Sequence, residues 1–477
     1  MKELELFTRQ FLLTVQENFN LPWKRKKILN YNLFYHPDLE FEYASNKTIE
    51  LYLLGFIFDY ENPEYTNKQI LDSLSNTSSF DNFLEHLFKY SGHFVLIYKS
   101  NEKLILLNDA VAQHEIYYDT LFSSFGTQPK LLGRVVPLLP HSSVEAVKFY
   151  SSSTFSSKKI FIGETTHAEN ILHLLPNHYI DITNKKINRF FPINPIIPIS
   201  IYEASAEARK MLKGYIKAAS IRNNLYMGIT GGYDSRVLFL ASLDLECKYY
   251  VTKLSHMDNK HYDIVIPQKL TQIFKKEFKV ISERDEIDNN TNQILETSID
   301  FPRNQKRPGK DFINHIILNG NLSEIARNYY GYHKDVSPKD LAFLYKYPKS
   351  EFVLQEYEKW IHNGFKFFSE KGYDILDMFY WEEKMGHWAS KAKTEMSSLG
   401  TIVYSPFCSH KLLITLLSVP RKYRDSHYNK LYNLMIKEFS PGAFRIPINP
   451  SLKNSIIKLL KTLKIFNIYQ QLVIDIY

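Results

Sequence analysis

Cysteine is scarce in this chain of 477 residues, which contains only Cys247 and Cys408. These two residues lie far apart and lack the paired spacing of zinc ligands, so neither a disulfide framework nor a structural zinc site is indicated. Apolar runs of about 18 residues are also missing, and the first residues lack the basic and apolar order of a signal peptide. The sequence therefore predicts a cytoplasmic protein with no transmembrane segment.

Long blocks of one charge sign are missing as well. The net charge of +8 arises from 59 Lys and Arg against 51 Asp and Glu, which are spread along the chain. Without a basic block, the composition indicates no nucleic-acid partner. The 44% apolar and 23% charged content is typical of a globular protein. The length favours roughly two or three domains with ample core.

A proline-rich seam divides the sequence at residues 191–200. Pro192, Pro195 and Pro198 prevent this segment from forming a helix or a central strand. After the seam, a helix is predicted over residues 204–219, and strand-like and helix-like segments then alternate as in an α/β unit. Before it lie short strand-like runs at residues 51–58, 93–98, 104–108, 116–118 and 178–182. We therefore expect one domain over residues 1–191 and a second over residues 201–477.

The most informative segment reads Ile-Thr-Gly-Gly-Tyr-Asp-Ser-Arg at residues 229–236. It follows an apolar run and precedes a helical one, so a strand is expected to break at Gly231 and Gly232 and to re-enter a helix. The backbone N–H groups in the first turn of such a helix lack partners. They lie at the positive end of the helix dipole, where phosphate binds.

Polar side chains surround the two glycines. Thr230 and Ser235 supply hydroxyl groups, and Asp234 supplies a carboxylate that would repel phosphate unless a divalent cation lay between them. The loop therefore predicts a pyrophosphate site assisted by Mg²⁺. A tight strand-to-helix turn without a ligand, as in any doubly wound fold, is the alternative.

The octapeptide resembles the Ser-Gly-Gly-Xaa-Asp-Ser loop of the ATP pyrophosphatases, with Thr230 in place of the first serine. This group includes asparagine synthetase and β-lactam synthetase, which cleave ATP between the α and β phosphates and adenylate a substrate oxygen. The resemblance implies a doubly wound parallel-sheet domain with a helical C-terminal part, and ATP and Mg²⁺ as cofactors. The nucleotide contacts that it implies are Ile229, Thr230, Gly231, Gly232, Asp234, Ser235, Val251 and Gly320.

The first half of the chain has a resemblance of its own. Residues 92–98, 104–109 and 116–118 are similar, in this order, to core strands of the glutaminase domain of asparagine synthetase. This implies an N-terminal-nucleophile (Ntn) type αββα domain. Glutaminases of this family attack glutamine with an N-terminal cysteine, whereas residue 2 is Lys2, and the family's Asn-Gly pair is replaced by Leu54 and Gly55. We therefore expect a degenerate glutaminase-like domain, with nitrogen from free ammonia, an amine on the substrate, or a partner protein.

A second phosphate segment is implied at residues 318–324, which align with the family's Ser-Gly-Asp-Gly-Xaa-Asp-Glu after one deletion. The family's second metal-binding aspartate falls on Ser323, and Glu324 is the remaining carboxylate. The predicted metal ligands are therefore Asp234 and Glu324. Glu324 equally suits the first turn of a helix that Asn321 or Ser323 caps.

Three basic residues are the predicted catalytic groups. Arg236 follows the loop, and Arg327 is expected on the helix of Ser323, one turn on. At either position, a guanidinium group can hydrogen-bond to two phosphate oxygens at once. Lys391 lies in the aromatic segment 378–406, where the family shapes its acceptor site, and it would stabilise developing negative charge. The aromatic residues themselves are expected to pack between helices.

The resemblance implies an ATP-dependent amide-forming ligase of the asparagine synthetase-like family. It would adenylate a small-molecule or peptide carboxylate, release pyrophosphate, and let ammonia or an amine displace AMP. The sequence does not select among an amino acid, a peptide and a sugar acid of a surface polysaccharide as the acceptor. The family's catalytic lysine after Pro406 has no counterpart, and the nearest basic residue is Arg445. Two alternatives stay open: an ATP-binding regulator without turnover, and a tRNA-modifying relative, which requires a basic groove.

Overall fold

The computed structural model describes residues 3–282, 289–303, 312, 315–331, 336–347, 350–450, 452–463 and 465–466. Within these residues the protein is a mixed α/β structure with three sheets, of which two are antiparallel and one is parallel. No helix in the described ranges combines the length and apolar character needed to cross a bilayer.

The residues before the proline-rich seam form two antiparallel sheets of six strands each, in the orders β10-β8-β9-β1-β3-β2 and β12-β11-β7-β6-β5-β4. The strands are β1 (Phe11–Thr14), β2 (Lys24–Ile28), β3 (Tyr31–Tyr35), β4 (Phe41–Ser45), β5 (Glu50–Phe58), β6 (Ser91–Lys99), β7 (Leu104–Asn108), β8 (Tyr117–Asp119), β9 (Ser124–Gly126), β10 (Ile171–His173), β11 (His178–Asp181) and β12 (Lys186–Arg189). The strand-like runs predicted from the sequence in this half are confirmed.

The two sheets pack face to face, and helices cover their outer faces. Along β6, Val95 and Ile97 belong to the core shared with the other sheet, whereas Leu96 and Tyr98 pack towards the helices. This alternation follows from the two-residue period of a strand. The helices are α1 (Asn67–Ser75), α2 (Phe80–Leu87), α3 (Pro129–Leu132), α4 (Val144–Tyr150) and α5 (Ser153–Lys158). The order of layers is thus helix, sheet, sheet, helix, with α1 on β4 and β5 and α3 on β8 and β9.

The residues after the seam form the parallel sheet, in the order β15-β14-β13-β16-β17. Its strands are β13 (Asn224–Gly228), β14 (Cys247–Lys253), β15 (Phe278–Ser282), β16 (His315–Leu318) and β17 (Ile402–Tyr404). The strands that follow β13 in sequence first build one side of the sheet, and β16 then returns to the other side of β13. The direction of winding therefore reverses between β13 and β16.

Helices surround this sheet. They are α6 (Ile201–Arg222), α7 (Tyr233–Ala241), α8 (Tyr262–Ile273), α9 (Asn289–Ser298), α10 (Pro338–Leu344), α11 (Glu351–Glu370), α12 (Ile375–Phe379), α13 (Ser390–Ser398), α14 (His410–Leu417), α15 (Lys430–Phe439), α16 (Pro441–Phe444) and α17 (Leu452–Thr462). The predicted helix after the seam is confirmed as α6, which begins earlier than expected because the Ser200 hydroxyl accepts from the Glu203 N–H and caps it.

A π-helix over Tyr380–Ala389 lies between the two halves of the chain. The Trp381 indole donates to the Ala110 carbonyl at 2.7 Å, and the Glu382 carboxylate accepts from Arg189. Gly386 lies so close to Pro176 that an added Cβ would be 2.6 Å from the Pro176 Cδ. Close packing and buried hydrogen bonds therefore fix this helix against the first half, and the aromatic residues around it pack as expected.

Glu383 is the fully buried carboxyl group of this π-helix. One oxygen accepts the Gly163 N–H at 3.1 Å, and the other has no hydrogen-bond partner among the residues that the structure describes. Burial, together with the nearby carboxylates of Glu382 and Glu356, raises the pKa of Glu383 to about 8 against the opposing Gly163 hydrogen bond. Glu383 is therefore protonated in the folded protein at neutral pH.

We predict that this carboxyl group makes folding stability depend on pH. Between the ordinary glutamate pKa and a folded pKa of about 8, the folded state holds a proton that the unfolded state has lost. The free energy of unfolding therefore falls as pH rises through this window, by at most about 1.4 kcal/mol per pH unit. Denaturant unfolding at pH 5 to 8 should show a smaller slope for Glu383→Gln, whose amide resembles the protonated acid. Glu85→Gln on the exposed face of α2 is the control, and equal slopes in both variants would refute the prediction.

Candidate functional site

The candidate site lies at the carboxyl ends of β13 and β16, where the winding of the parallel sheet reverses. Met227 of β13 pairs with Leu318 of β16, so the segments that follow the two strands emerge side by side. In open parallel sheets, the crevice outside this reversal is where ligands bind, because the two connections leave in opposite directions. The predicted phosphate loop follows one strand and the predicted second phosphate segment follows the other.

Hydrogen bonds close the loop upon itself and anchor it to the sheet. The Ile229 N–H donates to the Tyr250 carbonyl at 2.8 Å, and the Thr230 N–H donates to the Ser235 hydroxyl at 3.0 Å. The hydroxyl groups of Thr230 and Ser235 are 3.1 Å apart. Val251, the residue after Tyr250, lies buried in β14 at the side of the loop.

Two residues from outside the loop hold its first glycine. The Gly231 N–H donates to the Asp263 carboxylate at 2.7 Å, and the Gly231 carbonyl accepts the Asn449 N–H at 3.0 Å. Asp263 belongs to the first turn of α8, and the acidic stretch before that helix was the sequence signal that could have identified it. No sequence signal points to Asn449, which reaches the loop from the C-terminal part of the chain.

The N-terminus of α7 faces the crevice without a side-chain cap. Its N-cap is Gly232, and no side chain hydrogen-bonds to the cap. The first-turn N–H groups of a helix point along its axis and carry the positive end of its dipole. The predicted strand, glycine turn and helix are therefore all present, and their geometry suits an anionic group.

Asp234 of α7 is the centre of a charged cluster. The Arg327 Nη1 lies 2.6 Å from both carboxylate oxygens of Asp234, and the Ser323 hydroxyl donates to the same carboxylate. Burial lowers the pKa of Arg327, but the carboxylates of Asp234 and Glu324 outweigh it and raise the pKa above its usual value. Arg327 is only 8% exposed, so this ion pair lies largely out of solvent.

Gly320 permits the close approach of the two segments. A Cβ at this position would lie 2.6 Å from the Asp234 Cβ and 3.0 Å from the Ser235 N. Since part of this contact is backbone, no side-chain movement would relieve it. Gly320 therefore lies directly against the loop, while its predicted contact with a nucleotide stays a prediction.

Glu324 lies beside this cluster and accepts a hydrogen bond from the Tyr380 hydroxyl at 2.8 Å. Burial raises the pKa of Glu324, and the neighbouring Asp234 carboxylate raises it further, whereas Arg327 opposes the shift. Tyr380 is a site residue that the sequence reasoning assigned only to packing. Its role arises from the π-helix, which directs its hydroxyl towards the site.

The expected helix at Ser323 is shorter than predicted. A single 3₁₀ turn spans Ser323–Ala326, and Arg327 follows it instead of lying one helical turn along. Neither Asn321 nor Ser323 caps this turn: Leu322 occupies the N-cap with a φ of 79°, and the Ser323 hydroxyl is used by Asp234. The capping interpretation was therefore wrong, although Glu324 does lie in the first turn.

The other two predicted catalytic residues contact different parts of the protein. Arg236 is fully buried and donates to the carbonyls of Ile446 at 2.6 Å and Pro447 at 2.7 Å. Lys391 is also buried and donates to the Asp300 carbonyl at 2.5 Å. The structure thus brings Arg327 to the loop, whereas Arg236 donates to backbone carbonyls near residue 446, and Lys391 contacts the Asp300 carbonyl and the Phe161 ring.

The carboxylates of Asp234 and Glu324 suit a magnesium ion whose other ligands include nucleotide phosphates. Among the described residues, no group of three or more His, Cys, Asp or Glu side chains is placed to hold a metal alone. Mg²⁺ commonly uses one or two protein carboxylates together with phosphate oxygens and waters. Asp234 and Glu324 are two such carboxylates, and each is close enough to affect the other electrostatically.

We predict that Gly320→Ala disrupts this site more than it disrupts the fold. The new methyl group would force the segment after β16 away from Asp234, which should lower stability by about 1–3 kcal/mol and weaken ATP binding by at least about tenfold. Gly228→Ala is the matched control, because its Cβ would meet nothing closer than 3.6 Å. Nucleotide titration and thermal unfolding of both variants test this. Wild-type ATP affinity in Gly320→Ala would contradict it.

No known family's sequence model matches the chain, and no curated protein matches it. Among solved structures, NMN synthetase from Francisella tularensis aligns over 33% of this chain and 74% of its own, with 14% identity and a TM-score of 0.18. The allosteric regulatory enzyme of purine biosynthesis aligns over 62% of this chain and 74% of its own, with 8% identity and a TM-score of 0.26. Glutamine phosphoribosylpyrophosphate amidotransferase from B. subtilis, complexed with ADP and GMP, aligns over 67% of this chain and 70% of its own, with 8% identity and a TM-score of 0.24. Likenesses at these TM-scores carry no argument about the fold or the activity.

Proposed function

We propose that the protein is an ATP-dependent amide-forming ligase of the asparagine synthetase-like kind, which activates a substrate carboxylate by adenylation and releases pyrophosphate. The proposal rests on one observation. Where the winding of the parallel sheet reverses, the uncapped N-terminus of α7 lies beside the cluster of Asp234, Ser323 and Arg327. A helix N-terminus binds phosphate, and the adjacent carboxylate and guanidinium suit a metal-bound phosphate chain.

The loop would hold the pyrophosphate part of ATP. Its predicted contacts are Ile229, Thr230, Gly231, Gly232, Asp234 and Ser235, with Val251 and Gly320 on the nucleoside side. The hydrogen bonds of Gly231 to Asp263 and of Thr230 to Ser235 fix the loop before any ligand arrives. A preformed donor array loses less entropy on binding, which is what a phosphate site requires.

Magnesium would bind at Asp234, with Glu324 as its second protein ligand. The Asp234 carboxylate raises the pKa of Glu324, and a divalent cation between the two groups would stabilise the ionised form of Glu324. When bound, the ion supplies positive charge against the phosphate oxygens. Arg327 already provides one positive charge there and is the guanidinium that we assign to the phosphate chain.

The first half of the chain supports the comparison with a glutaminase domain at the level of architecture. Two antiparallel sheets packed face to face, with helices on both outer faces, fit an Ntn-type αββα arrangement. We assign residues 1–191 to this degenerate domain and residues 201–477 to the ATP-binding domain. Free ammonia, a substrate amine or a partner protein would then supply the nitrogen.

One observation favours a second candidate, an ATP-binding regulator without turnover. Two of the three basic residues expected to act in catalysis, Arg236 and Lys391, are buried and donate to backbone carbonyls. A protein of this kind would keep the phosphate loop and bind ATP, but it would form no pyrophosphate.

Carboxylate-dependent exchange of labelled pyrophosphate into ATP tests the proposal. We predict that the wild type catalyses exchange with at least one member of a panel of amino acids, peptides and sugar acids. Asp234→Asn should reduce it by about a hundredfold, because the variant loses a charge that stabilises the transition state. Asp244→Asn is the control, since that side chain is 84% exposed and pairs at 3.5 Å with Lys213, itself 51% exposed. Exchange that survives in Asp234→Asn would overturn the proposal, and a silent wild type that binds ATP would favour the regulator.

A further inference from the structure

Four basic side chains from separate segments converge beside the candidate site. Lys158 ends α5, Arg303 follows α9, Lys346 follows α10, and Lys384 belongs to the π-helix. We call these residues the cationic cluster. Lys346 is exposed and the other three are half-buried, so solvent reaches the group.

Shared contacts hold the cluster together. The Lys158 and Lys384 ammonium groups lie 5.9 and 5.0 Å from the centroid of the same ring, that of Tyr345. Lys158 also lies 4.0 Å from the centroid of the Tyr347 ring and donates to the carbonyls of Tyr345, at 3.0 Å, and Lys346. Cation–π contacts and hydrogen bonds to backbone carbonyls thus hold the cationic side chains close together, and neither kind of contact neutralises their charge.

Within the part of the chain that the structure describes, most of the positive charge of the cationic cluster is not paired with a carboxylate. Arg303 pairs with Glu395 at 3.0 Å, whereas Lys158, Lys346 and Lys384 form no ion pair there. Burial lowers the pKa of both Lys158 and Lys384 to about 8. The neighbouring cations contribute to these pKa shifts, Lys384 and Lys346 to that of Lys158, and Lys346 and Arg303 to that of Lys384, where the Glu324 carboxylate opposes them. Like charges at this proximity destabilise the protein unless an anion joins them.

The π-helix connects the cluster to the candidate site. Lys384 follows Tyr380 by four residues, which is close to one turn of a π-helix, so the two side chains extend from the same side. Tyr380 donates to Glu324, and Glu324 and Lys384 influence each other electrostatically. Arg303 also lines an open pocket of about 470 Å³, whose other charged or titratable lining residues are Lys130, Lys159, His167, Glu296 and Asp300. The cluster is therefore linked to Glu324 through Lys384, and Arg303 connects it to a cavity large enough for a small molecule.

We propose that the cationic cluster binds a phosphate or an additional carboxylate of the acceptor substrate, so that this substrate carries at least one anionic group besides the carboxylate that is activated. This inference rests on the proposed function, because it places the anion beside the nucleotide site. It narrows the substrate class to acidic or phosphorylated small molecules. A carboxylate whose remaining groups are neutral would bring no anion to Lys158, Lys346 and Lys384, which form no ion pair with the described residues.

Calorimetric titration of the full chain tests this binding, with the nucleotide loop saturated by a non-hydrolysable ATP analogue and Mg²⁺. The probes are citrate, inorganic phosphate and, as a monovalent comparison, acetate. We expect citrate or phosphate to bind more tightly than acetate and to weaken as salt is added. Lys384→Gln and Lys158→Gln should each lower the affinity about tenfold, because each removes one charge-assisted contact, and Lys384→Arg should retain it.

The matched control is Lys366→Gln on α11, where the lysine side chain is 86% exposed. Citrate and phosphate that bind no better than acetate would overturn the inference, as would wild-type affinity in Lys384→Gln. Thermal unfolding shows whether Lys384→Gln folds. If it does not fold, the citrate and phosphate affinity of Lys384→Arg, which should match that of the wild type, decides the outcome.

ATP binding to the same proteins separates this inference from the proposed function. Lys384→Gln should bind the ATP analogue as the wild type does while losing citrate or phosphate. If the wild type binds citrate through Lys384 but binds no nucleotide, the proposed function fails and the anion site stands. If it binds nucleotide but no multivalent anion, the inference fails and the proposed function stands.

Discussion

The buried ion pair between Asp234 and Arg327 is the interaction on which the site depends. It joins the first turn of α7 to the segment after β16, and Ser323 adds a hydrogen bond to the same carboxylate. Removing one partner of a buried pair generally destabilises a protein by about 3–5 kcal/mol, because the other charge stays buried. Gly320 lets the two segments approach closely enough for this pair to form, since a Cβ there would lie 2.6 Å from the Asp234 Cβ.

The π-helix explains how the site relates to the rest of the molecule. Three residues within the stretch 380–384 contact different neighbours: Tyr380 contacts Glu324, Trp381 contacts Ala110, and Lys384 lies over Tyr345. A π-helix has a wider turn than an α-helix and is commonly found at functional sites. Here it directs one group of side chains into the first half of the chain and another towards the site. The first half therefore contributes to the position of Tyr380 even if it performs no chemistry.

Local patterns predicted the parts of the site that local sequence determines. The strand, the two glycines and the first turn of α7 were found because consecutive residues encode them. Arg236 illustrates the limit, since successive helical residues point about 100° apart, and its side chain turns away from Ser235 to carbonyls near residue 446. Asn449 and Tyr380 reach the site only through tertiary packing, which no spacing in the sequence reveals.

The charges at the site constrain how any metal-bound phosphate would enter. Arg327 uses one nitrogen for both oxygens of Asp234, so a cation that coordinates this carboxylate competes with the guanidinium. A displaced Arg327 would keep its hydrogen bond to the Ser426 carbonyl at 3.2 Å. The neighbouring Asp425 is held by Lys461 of α17 at 2.5 Å. Arg327 therefore links Asp234 in the first turn of α7 to Ser426 in the segment before α15.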